Sequence, residues 1–134
     1  MPGRLRRQIE DSEALTRKNR RMTLTFAFNY GGRAELVDAM RGIAQDVADG
    51  KLKPDKVDEK VIERHLYSPD MPDPDLLIRT SGEFRISNYL LWESAYSEFV
   101  FTDVLWPDFR RRHLEDAVIE FQQRERRFGA VDGT

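Results

Sequence analysis

Asp75-Leu76-Leu77-Ile78-Arg79-Thr80-Ser81-Gly82-Glu83-Phe84-Arg85-Ile86-Ser87-Asn88 is the stretch whose reading decides the fold. Asp75 to Arg79 is a short apolar run closed by a cation, the composition of a buried strand. Just before it, Pro69, Pro72 and Pro74 rule out a helix, since each removes an amide donor and constrains its predecessor. Ser81-Gly82 then turns the chain. In open parallel sheets, ligands bind in the loops that follow the carboxyl ends of the strands. That rule gathers Arg79, Arg85 and the hydroxyls of Thr80, Ser81 and Ser87 into one loop, where Gly82 lets the backbone approach a ligand. Guanidinium groups match phosphate oxygens with paired, charge-assisted hydrogen bonds. Ser87, read as the start of a helix, adds a hydroxyl and free backbone amides. The loop therefore reads as a site for a phosphate or diphosphate. The plain alternative is that Arg79 and Arg85 pair with Asp75, Glu83 or Glu93, and spacing alone leaves both open.

Outward from this stretch, strand and helix alternate. Arg4 to Lys18 reads as a charged, weakly amphipathic helix with Leu5 and Ile9 one turn apart. Thr23 to Asn29 is rich in β-formers and bounded by a glycine pair, so a strand is expected there. Asn29-Tyr30-Gly31-Gly32-Arg33 is then a tight turn into a helix striped by Leu36, Met40, Ile43, Ala44 and Val47 and stopped by Gly50. A shorter helix follows Pro54, with Val57, Val61, Ile62 and Leu66 on one side. After the loop, Asn88 to Tyr96 reads as a short aromatic helix and Glu98 to Phe101 as a third strand. Leu114, Ala117, Val118, Phe121 and Phe128 stripe a last helix. The fold class is α/β, a parallel sheet flanked by helices, in a single unit over residues 1–134 without repeat or linker.

Composition narrows the function classes. Zero cysteines exclude disulfides, thiolate catalysis and thiolate metal sites. A net charge of −2 gives no general attraction to nucleic acid, although the two ends are locally basic, through Arg4, Arg6, Arg7, Arg17, Lys18, Arg20 and Arg21 and again through Arg110 to Arg112. A nucleic-acid binder would also interleave aromatic and basic residues, so that reading ranks last. The apolar runs are far shorter than the roughly 20 residues of a membrane span, and the start lacks the apolar core of a secretory signal. The chain is read as cytoplasmic.

Beyond the anion loop, further motifs carry a resemblance. Asp75 to Glu83, Arg85-Ile86-Ser87-Asn88, Leu90 to Tyr96, Glu98, and Phe101-Thr102-Asp103-Val104-Leu105-Trp106-Pro107-Asp108 closely resemble the C-terminal signature of the cis-prenyltransferases, the family of undecaprenyl and decaprenyl diphosphate synthases. Asn29 to Arg33 is similar to another family motif and Arg124 to Gly129 to the terminal one, in family order. The resemblance implies a transferase that condenses isopentenyl diphosphate with an allylic diphosphate of farnesyl or geranyl type to make a cis-polyprenyl diphosphate. It implies that Arg79, Arg85 and Ser87 bind the isopentenyl diphosphate and that Asn29 faces the site. Arg127 and Gly129 are implied to reach the active site of the partner in a homodimer. Glu98 is implied to serve Mg²⁺, and membrane-surface association through the product is implied as well. His65 and His113 match no catalytic position, and Trp92, Tyr96, Phe99 and Trp106 read as core or dimer packing.

The resemblance covers the C-terminal half of the family fold. The family's Asp-Gly-Asn-Arg-Arg-Trp element, which holds Mg²⁺ and the allylic diphosphate, has no counterpart in these residues. The expectation is a chain that carries the isopentenyl diphosphate site, lacks the N-terminal half, exposes a sheet face and does not elongate alone. The alternative is a non-catalytic accessory subunit, against which Arg79, Arg85, Ser87 and Glu98 argue.

Overall fold

The computed structural model describes residues 3–124. Helix α1 (Gly3–Thr16) comes first and buries none of its residues. The chain then runs through residues 17–28 to a turn that starts helix α2 (Gly32–Ala48). Helix α3 (Glu59–His65) is capped by Asp58, whose side chain accepts from the Val61 amide at 2.9 Å. Strands β1 (Leu76–Arg79) and β2 (Glu98–Phe101) pair in parallel, with Leu76 opposite Glu98 and Arg79 opposite Phe101. Helix α4 (Arg111–Gln122) packs on β2. Its start is closed by His113, whose Nδ1 accepts the Arg110 amide at 2.9 Å, so this imidazole is a cap rather than a free surface group.

The parallel α/β class holds, with two strands among the described residues instead of three. Thr23 to Asn29 joins no ladder. Leu24, Phe26 and Phe28 stand in solvent, Phe26 at 82% exposure. The reason is physical: β-propensity records how a side chain packs between neighbouring strands, and without a partner strand no ladder forms. Asn88 to Tyr96 forms successive turns rather than a helix. Ser87, Asn88 and Leu90 all have positive φ, at 52°, 63° and 44°, which a right-handed helix cannot contain.

The core is small: Ala39, Val61, Leu66, Val100 and Ala117 are its buried apolar residues among those described. On α2 the buried line runs through Gly32, Glu35 and Ala39, which rotates the expected stripe and leaves Met40 62% exposed. Gly50 follows α2 at φ +72°, as its position after the stripe required. Tyr96 and Trp106 are exposed, so the core reading of these aromatics fails within this chain.

Candidate anion site

Two loops far apart in sequence meet at the candidate site. The first follows β1. Arg79 ends that strand half-buried, and its Nε is buried without a hydrogen-bond partner. A buried guanidinium nitrogen left unpaired is costly, and an acceptor arriving beside it is correspondingly favourable. The loop is tied down on the β2 side, where the Ser81 amide donates to Val104 O at 2.9 Å and the Gly82 amide to Thr102 O at 3.0 Å. Gly82 has φ +65°, and a Cβ there would lie 3.1 Å from an Asp103 carboxylate oxygen. Arg85 is exposed and ion-paired with Glu83, so the plain alternative holds for this arginine in the absence of a ligand. Ser87 is exposed in the left-handed region.

The second loop is Asn29 to Arg33. Asn29 is exposed at φ +53°. The two loops are joined through Asn88: its carbonyl accepts the Gly32 amide at 2.8 Å, and its Oδ1 accepts the Arg33 amide at 2.8 Å. These are first-turn amides of α2, which have no partner within the helix. Among the described residues every non-glycine with positive φ (Asn29, Ser81, Ser87, Asn88 and Leu90) lies in one of these two loops. Such backbone costs free energy and tends to gather where a chain serves a ligand.

Glu98 is placed elsewhere. It opens β2, opposite Leu76, so it sits at the far end of the strand pair from Arg79, about 10 Å away at the usual rise per residue. Its Oε2 accepts from Arg124 at 2.8 Å, and the same guanidinium donates to Phe99 O at 2.8 Å and to Glu120. These partners lift the Arg124 pKa further above its ordinary value, Glu98 first. Among the described residues there is no group of three acidic or histidine side chains able to hold a metal. Mg²⁺ takes near-octahedral oxygen ligands, commonly one or two carboxylates with substrate phosphates and water. In this structure Arg124 holds the Glu98 carboxylate, and a single carboxylate would leave the remaining ligand positions to phosphate oxygens and water. Arg127 and Gly129 lie outside the described residues.

Sequence reasoning missed Glu35, which supports the second loop from beneath. Glu35 is 2% exposed; its Oε1 accepts the Tyr67 amide at 3.0 Å, and its Oε2 accepts the Tyr30 hydroxyl. Burial first, then the bond to Glu35, pushes the Tyr30 pKa well above its ordinary value. Tyr30 also meets Tyr89 edge-on at 5.6 Å, a second link between the loops. Glu93 is half-buried nearby with Oε2 unpartnered, and burial raises its pKa, with the neighbouring Glu35 and Asp73 charges adding to the shift. The only signal for Glu35 was its place one turn into α2, where a carboxylate also suits the helix dipole. A cleft of about 160 Å³ between the sheet and α4, lined by Ile78, Val100, His113 and Asp116, contains none of the predicted site residues.

Comparison with known proteins agrees with the motifs. Residues 1–129 match the family model for undecaprenyl diphosphate synthase. An isoprenyl transferase of Heliobacterium mobile is 52% identical over 131 residues, covering 98% of this chain and 50% of the relative. A tritrans,polycis-undecaprenyl-diphosphate synthase (geranylgeranyl-diphosphate specific) of Methanopyrus kandleri is 53% identical over 129 residues, 96% of this chain and 48% of the relative. The chain thus spans about half the length of the curated relatives it matches. The crystal structure of lavandulyl diphosphate synthase from Lavandula x intermedia, in complex with dimethylallyl diphosphate, superposes with a TM-score of 0.92 at 42% identity. That superposition covers 97% of this chain and 56% of the other. With motifs, fold and sequence in agreement, the chain belongs to the undecaprenyl diphosphate synthase family of cis-prenyltransferases.

Proposed function

We propose that this chain supplies the site for isopentenyl diphosphate in a cis-prenyltransferase, anchoring its diphosphate on Arg79, Arg85 and Ser87 with Asn29 at the edge. The observation that carries the reading is the Arg79 Nε, buried and unpartnered at the tip of β1 beside the loop that bears the other two groups. Arg85 would exchange Glu83 for the incoming anion, and its exposure leaves it free to swing. In the reaction the allylic C–O bond breaks and its electron pair leaves with the diphosphate. The alkene of isopentenyl diphosphate attacks the electron-deficient carbon, and proton loss gives the new cis double bond. The task of these three side chains is orientation: an anchored diphosphate aims the alkene, which can supply several kcal/mol of the barrier reduction.

No step here runs through Glu98, which Arg124 occupies. The allylic primer, of farnesyl or geranyl type, would be held by residues corresponding to the other half of the relatives, as would Mg²⁺. The exposed side chains of Leu24, Phe26 and Phe28 suit coverage by such a half, and exposed Trp106 and Phe84 suit a homodimer contact. A tracer assay with labelled isopentenyl diphosphate, farnesyl diphosphate and Mg²⁺ should yield no elongated product from these residues alone.

Calorimetric titration with isopentenyl diphosphate tests the site directly. Removing a charge-assisted hydrogen bond costs roughly 1.5–3 kcal/mol, so Arg79→Ala and Arg85→Ala should each weaken binding by about 10- to 150-fold. Unchanged affinity in both variants would refute the assignment.

A further inference from the structure

We infer that Asn88 is a positioning residue of this site, using the amino end of α2 as a fixed rail that holds the Arg85–Ser87 segment in its anion-binding shape. The inference rests on the diphosphate-binding role proposed above and adds the device that shapes it. A free helix start offers its first amides to an anion. Here the Gly32 and Arg33 amides are already taken, by the carbonyl and the Oδ1 of Asn88 at 2.8 Å each. The helix start therefore binds a loop, and the anion is left to the groups that loop presents.

The fit is tight on both sides of this joint. A Cβ on Gly31 would fall 2.9 Å from the Asn88 amide nitrogen, and one on Gly32 would fall 2.8 Å from Leu91 Cγ and 3.1 Å from the Leu91 backbone nitrogen. The glycine pair is thus the seat for the 88–91 segment. Ser87 and Asn88 both stand in the left-handed region, at φ 52° and 63°. Two consecutive non-glycine residues rarely hold that conformation unless surrounding contacts impose it. Asn tolerates it better than most residues, and its short amide can hydrogen-bond backbone at the same time, which accounts for the residue type. Rotation of Asn88 out of this joint would carry Ser87 and Arg85 with it.

The test titrates inorganic pyrophosphate into the 134-residue chain and into Asn88→Asp, Asn88→Gly and Asn88→Ala, with Arg79→Ala and Arg85→Ala alongside. Urea midpoints and amide hydrogen exchange are followed in each protein. Asp keeps an acceptor for the Arg33 amide, Gly keeps the backbone shape without the acceptor, and Ala loses the acceptor and strains φ. Asn88→Asp places a negative charge beside the anion, so it is read by exchange alone and should protect the Arg33 amide within about threefold of the parent, whereas Asn88→Gly should bind roughly 10-fold more weakly and exchange that amide about 10-fold faster, as expected for one lost hydrogen bond. The urea midpoint of Asn88→Gly should move little, because the bond is exposed. The inference is overturned if Asn88→Gly binds like the parent, or if the Arg33 amide exchanges as fast in Asn88→Asp as in Asn88→Ala. If both arginine variants weaken binding while Asn88→Gly does not, the inference falls and the site stands. If neither arginine matters, the site itself is refuted and the inference with it.

Discussion

Replacing Glu35 by leucine tests how much of this small fold rests on one buried carboxyl. The side chain is 2% exposed and accepts from two donors, the Tyr67 amide at 3.0 Å and the Tyr30 hydroxyl. Leucine is of similar size, so little cavity forms, and the loss is electrostatic. Each donor stranded away from water costs about 1–3 kcal/mol, for a total of roughly 2–6 kcal/mol. Against this, removing a buried carboxyl relieves a desolvation penalty, so part of the loss is returned. The stranded donors should win because both stay fixed by neighbours: Tyr30 lies edge-on to Tyr67 and Tyr89, and the Tyr67 hydroxyl is bound to Asp38 at 2.6 Å. A net destabilisation of about 2–4 kcal/mol is expected, near 8–16 °C in Tm for a domain of this size. Glu35→Gln keeps an oxygen for the Tyr67 amide and offers its NH₂ to the Tyr30 oxygen, so it should cost about 1 kcal/mol or less. Urea denaturation followed by tyrosine fluorescence and circular dichroism measures both. A leucine variant as stable as the parent, or a glutamine variant as damaged as leucine, would refute the view that Glu35 acts as a double acceptor.

Two further outcomes follow from the same neighbourhood. Gly32→Ala drives a Cβ to 2.8 Å from Leu91 Cγ and 3.1 Å from a backbone nitrogen that cannot swing aside. It should destabilise by about 1–3 kcal/mol, read as a lower urea midpoint at unchanged slope. Glu93 has its pKa raised by burial, so the folded protein binds a proton more tightly than the unfolded chain. Stability should therefore fall as pH rises from the ordinary carboxyl value through the raised one, and level off above it. Glu93→Gln should remove that slope and raise stability at neutral pH, and a slope that survives the substitution would show that another group titrates.

Parts of this protein were legible because the signals are local. The α2 and α3 helices announce themselves by periodicity, and α2 also by Gly50 after its stripe. The prolines at 69, 72 and 74 mark off β1, and the arginine, serine and glycine content after it is what the proposed anion site rests on. The errors share one cause. A strand at Thr23 to Asn29 and a helix at Asn88 to Tyr96 were inferred from residue type, while a strand needs a partner and a helix needs negative φ throughout.

By itself, then, the sequence determined family and class, since these depend on residue type and short spacings. Only the tertiary structure decided that Asn88 would cap α2, that Glu35 would turn inward while Met40 faced water, and that Arg124 would claim Glu98. Each of those is a contact between residues that are distant in sequence or lie on different faces of one helix. Their free energy depends on burial and geometry, which no local pattern encodes.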